Sequence, residues 1–168
     1  MVDLCGLVRR DHEDLDRALL AMVEPHTSRE ALLGLLDGAR LSLTSHIEAE
    51  TEVMQVFVAR SPSRARVRAF VTEIAAQHRA QHAALDAIRD AAPGSTGWYF
   101  RVLELRVLVL DHTSREPFMR TALSDHISID ENRQLARDYA SARLRMLALM
   151  YPFELARASS ARPRQGEN

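Results

Sequence analysis

What most constrains this chain is the placement of a few polar residues inside otherwise apolar stripes. Four segments carry apolar residues at steps of three and four. The first reads Leu4, Val8, His12, Leu15, Leu19, Met22, and the second Leu32, Leu36, Ala39, Leu43, His46, Glu50, Val53, Phe57. The third reads Val67, Val71, Ile74, His78, His82, Leu85, Ile88, and the fourth Leu105, Leu108, His112, Glu116, Met119, Leu123. Such spacing belongs to amphipathic helices that turn one face to a core. Residues four apart share that face, so His46 and Glu50 sit one turn apart in what should be a buried stripe. A buried carboxylate is costly unless it is paired, hydrogen-bonded or bound to a metal. One such pair alone would be read as a hydrogen bond inside a bundle. Interruptions in all four stripes ask for more.

Helix punctuation supplies the boundaries. The first helix is expected from about Asp3 to Glu24, stopped by Pro25. Thr27 and Glu30 form a capping box for a second helix running to about Ala59, and Ser61 with Pro62 can open a third. The third ends near Ala92, before Pro93-Gly94, and the fourth begins after Ser95 or Thr96. Pro117 falls inside the fourth and predicts a kink beside Glu116. Ser128 and Glu131 form another capping box, starting a fifth helix to about Met150. Trp98, Tyr99 and Phe100 are expected to seal the bundle end or pack on that last helix. Strand signals are missing. Short connections between long helices imply antiparallel neighbours. The expected fold is all-α, an up-down-up-down four-helix bundle with an additional C-terminal helix, spanning residues 1–157, with a disordered tail at 158–168.

The polar interruptions are centred near residues 12, 48, 80 and 114. Roughly even spacing in an up-and-down bundle brings His12, His46, Glu50, His78, His82, His112 and Glu116 to one height. A purely structural bundle gains nothing from such a layer, whose desolvation would go uncompensated. Metal coordination compensates it. Imidazole with carboxylate suits iron, with manganese and zinc as lesser fits. The set is too large for one ion and fits two with a bridging oxo or hydroxo group. One position would remain for a small ligand such as O2, NO or peroxide.

Composition narrows the setting. The net charge is -1, which gives no general attraction to nucleic acid or anionic membrane. No apolar run is long enough to span a bilayer, and the N-terminal stretch reads as helix rather than as a signal peptide. Cys5 is the single cysteine, so no internal disulfide can form. A cytoplasmic protein is expected. All 22 basic residues are arginine, a bias that fits a GC-rich genome.

These residues are where the chain resembles the haemerythrin superfamily, whose pattern places H, HxxxE, HxxxH and HxxxE/D on successive helices. Here it reads His12, His46-xxx-Glu50, His78-xxx-His82 and His112-xxx-Glu116, over residues 3 to 125. The resemblance implies that His78, His82 and His112 hold one iron, that His12 and His46 hold a second, five-coordinate iron, and that Glu50 and Glu116 bridge. Oxygen-carrying members bridge from the last helix with an aspartate five residues after the histidine. Glu116 lies four after His112, as in the bacterial haemerythrin-like branch, and the trailing helix is similar to the mycobacterial haemerythrin-like proteins. That group implies consumption of H2O2 and nitric oxide, with nitric oxide peroxidase or catalase-like chemistry and an unidentified electron donor. Reversible O2 storage or sensing is the alternative. A ferritin-like oxidase would need Glu-x-x-His elements, and the chain has none.

Overall fold

The computed structural model describes residues 3–60, 65–125 and 127–160. All regular structure among them is helical: α1 (Leu4–Ala21), α2 (Arg29–Arg60), α3 (Ala65–Arg89), α4 (Thr96–Thr113), α5 (Glu116–Ser124) and α6 (Ile129–Ser160). No described helix is long and apolar enough to cross a membrane.

Local chemistry sets the helix ends. Asp3 caps α1 by accepting the Gly6 amide at 2.7 Å. That helix ends three residues before the expected Glu24. The amides of Met22 and Val23 turn back to the carbonyls of Leu19 and Leu20, a tighter turn that carries the chain toward Pro25. The cap of α2 is Ser28, whose hydroxyl takes the Ala31 amide at 3.2 Å. Thr27, expected in that role, donates its hydroxyl to the Glu24 carbonyl instead. The expected Ser61-Pro62 start of α3 lies outside the described residues. Ser95 caps α4 as expected, accepting from the Trp98 amide at 3.1 Å. At the head of α6 the Ser128–Glu131 box closes in both directions.

Two elements differ from expectation. Helix four does not kink at Pro117 but breaks at Ser114 and Arg115, and a new helix starts at Glu116. Pro117 occupies the first turn of α5, where its missing amide costs nothing. The last helix passes Pro152 and continues to Ser160, beyond the expected ends at Met150 and residue 157. A proline removes one internal hydrogen bond, which bends a helix more readily than it ends one. Residues 161–168 lie outside the described residues.

Packing joins α1 to α2 and α4, α3 to both α2 and α4, and α6 to α2 and α1. The apolar interior falls into two clusters. One holds Leu4 and Val8 of α1, Val53 and Phe57 of α2, Phe70 and Ile74 of α3, Met119 of α5, and Leu135 and Tyr139 of α6. The other holds Leu15 and Leu19 of α1, Leu36 and Leu43 of α2, Leu85 and Ile88 of α3, and Trp98, Val102 and Leu105 of α4. Each of α1, α2 and α3 contributes to both; His12 and His78 lie between the two contributions of their helices, and on α2 His46 and Glu50 flank the changeover from Ile47 to Ala49. Trp98 is fully buried, but Phe100 is 69% exposed, so the aromatic trio does not act together at the bundle end. Cys5 packs on the first cluster as a small apolar residue, and burial pushes its thiol up to about 11.

Candidate metal centre

Between the two apolar clusters, His12, His46, Glu50, His78 and His112 are all buried. Glu50 Oε2 is the hub. It lies 3.1 Å from His78 Nε2 and 3.3 Å from the Nε2 atoms of both His46 and His112. His12 joins through its own Nε2, 3.0 Å from that of His46. Four imidazoles from α1, α2, α3 and α4 thus turn the same nitrogen inward. His12, His46, Glu50 and His112 each offer a ligand atom within 4.8 Å of one another, close enough to hold a metal ion.

The outward nitrogens are held as well. His12 Nδ1 donates to Glu116 Oε1 at 2.6 Å, and His112 Nδ1 to Gln77 Oε1 at 3.1 Å. Gln77 is itself fixed by donating to Asp111 at 3.1 Å. His46 Nδ1 donates to the Tyr139 hydroxyl oxygen at 2.7 Å, and that hydroxyl donates to Asp11 Oδ2 at 2.5 Å. Only His78 Nδ1 is buried without a hydrogen-bond partner among these four rings. A ring whose Nδ1 hydrogen is fixed outward keeps its Nε2 lone pair for a metal. The donor set therefore fits a metal by chemistry as well as by distance.

Of the seven residues expected from the sequence, five converge. Glu116, the first residue of α5, meets the group through the outer side of the His12 ring. His82 is half-buried and has no hydrogen bond to the cluster. Of the two histidines left over, His26 is exposed with φ 70°, and His126 lies outside the described residues.

The charges follow from these bonds. Burial alone would raise the Glu50 carboxyl, but hydrogen bonds from His112, His46 and His78 outweigh it and hold it well below the ordinary carboxylate range. Burial likewise favours neutral His46, but Asp11 and Glu50 prevail and push it up to about 9. His12 goes the other way, to about 4, because burial outweighs the Glu116 bond and the His46 and His112 charges oppose another. Burial also lowers His78. His46 therefore holds a proton on its inner nitrogen, and that Nε2–H faces both His12 Nε2 and Glu50. A cation entering the layer replaces that proton.

Sequence reasoning missed Asp11, Gln77 and Tyr139. Asp11 was detectable: it follows Val8 by three and precedes Leu15 by four, so it lies in the buried stripe. Tyr139 gives no such signal, because its ring belongs in the stripe Leu135, Ala136, Tyr139, Ala142 whatever its hydroxyl does. No protein-family model, curated protein or solved structure matches the chain.

Proposed function

We propose that this chain is a haemerythrin-like, non-haem di-iron protein that binds and consumes H2O2 and nitric oxide, as a nitric oxide peroxidase or a catalase-like enzyme. One observation carries the reading: three inward imidazole nitrogens converge on a single buried carboxylate between two apolar clusters, and a fourth, from His12, lies against that of His46. The alternation of those clusters along successive helices supports an up-down-up-down bundle. His12, His46, Glu50, His78 and His112 would hold the two irons, with His82 one turn further along α3 as an additional ligand and Glu116 behind the His12 ring. When bound, the pair supplies Lewis acidity and a store of electrons.

The chain's own residues do the rest. Glu50 gathers three imidazoles and neutralises positive charge that the apolar surroundings cannot solvate. Gln77 and Glu116 hold His112 and His12 by their outer nitrogens. Leu15 on one side of the layer and Met54 and Phe57 on the other are buried, and they exclude bulk water. Such walls select small uncharged molecules, which describes H2O2, NO and O2 alike. The same dry walls favour the second reading, reversible O2 binding in storage or sensing. A cytoplasmic location and an external electron donor belong to the proposal.

Iron-loaded protein should consume H2O2, and NO in its presence, many times faster than the same amount of free iron. Electrode traces of NO and of peroxide measure this. A reversible optical change with O2, without peroxide or NO turnover, would favour the binding protein over the enzyme.

A further inference from the structure

α6 adds more than packing to the layer. The outer nitrogens of His12 and His112 are held by residues of α5 and α3. That of His46 is held from α6, through Tyr139. The Tyr139 side chain is fully buried in the first apolar cluster, where a phenylalanine would serve packing equally well. Its hydroxyl instead accepts from His46 Nδ1 and donates to Asp11 Oδ2. Asp11 is buried too, and its other oxygen is held by Arg143 Nη1 of α6 at 2.6 Å. Asp11 Oδ2 is 3.8 Å from His46 Nδ1, beyond hydrogen-bond reach, so the phenol spans a gap the carboxylate does not close.

We infer that Tyr139, anchored by Asp11 and Arg143, is a positioning residue of the metal centre, holding the His46 Nδ1–H outward so that Nε2 faces the metal. The direction of the chain of donors is fixed. Asp11 can only accept, so the phenol hydrogen is committed to it, and the phenol oxygen is left to accept from His46. This fixes the ring's orientation and the nitrogen that remains free inside. Outer partners of this kind typically account for about 10- to 100-fold in metal affinity. The inference rests on the metal reading above, but its geometric half exists in the metal-free chain.

The test uses the full chain with Co2+ alone as the probe, competed against a chelator. Alongside it, the exchange rate of the His46 Nδ1–H proton is read by NMR in metal-free protein. Tyr139→Phe should weaken Co2+ binding about 10- to 100-fold and speed exchange of that proton. Unchanged affinity together with unchanged exchange overturns the inference. If the parent takes up no Co2+, the metal reading fails, while the exchange rate still decides whether Tyr139 holds the ring. Should Tyr139→Phe not fold, Asp11→Asn carries the test. It frees the phenol to turn its hydrogen, so faster Nδ1–H exchange supports the assignment and an unchanged rate overturns it.

Discussion

Glu50→Ala should leave the protein unable to retain metal, with content falling below about a tenth of the parent's. The reason lies in the hub geometry. One oxygen of Glu50 lies within 3.3 Å of the inner nitrogens of His46, His78 and His112, so its loss removes both a ligand and the charge that gathers three others. The metal-free fold should suffer as well. His46 carries a proton held by Asp11 and Glu50 together, and removing one partner leaves a buried cation half compensated. Breaking a buried pair in this way costs about 3–5 kcal/mol. Elemental analysis reads the first effect and urea unfolding of metal-free protein the second. Stoichiometric metal in the variant would remove Glu50 from the ligand set.

Metal affinity should climb with pH, by about tenfold per unit from neutrality toward pH 9. Below its pKa of about 9, His46 holds a proton on the nitrogen that a metal needs, so each ion bound releases one. Calorimetry in buffers of different ionisation heat counts that proton directly.

The metal-free protein should show the opposite trend over the same range. His46 is raised from an ordinary 6.5 to about 9, so its contribution is complete below pH 6.5 and is lost as pH rises through 9. His12 is lowered from 6.5 to about 4, so the unfolded chain takes that proton first, and stability falls as pH drops from 6.5 toward 4. Glu50 adds to the acid loss, because stability held by a depressed carboxylate disappears as it is protonated. Stability without metal should therefore peak near pH 6.5, and the two forms should diverge above it. Parallel melting curves of both forms across pH 5 to 9 would contradict the assigned charges.

Much of this was legible in the residues. Stripe periodicity located the helices and placed His12, His46, Glu50, His78 and His112 on buried faces, because a period of three to four fixes a helix face whatever surrounds it. Caps at Ser95 and Ser128 read directly, since a cap is a local hydrogen bond. Ser28 and Thr27 were harder, being adjacent residues of equal capping chemistry distinguished only by where the chain turns. The break before Glu116 was misplaced for a related reason. Pro117 announces a disturbance, but whether it kinks a helix or opens one depends on the residues before it. Tyr139 and Asp11 could not be paired from sequence, because 128 positions separate them and only the packing of α6 on α1 and α2 brings them together. Spacing also could not tell that Glu116 would meet the outer side of the His12 ring.

In the proposed function the buried histidine and glutamate layer is a two-iron centre. Iron per chain, by elemental analysis of protein purified without added metal, tests it most directly. Close to two irons per chain is the expected result. Protein that carries no metal, or a single zinc, and takes up none when iron is offered without oxygen would contradict it.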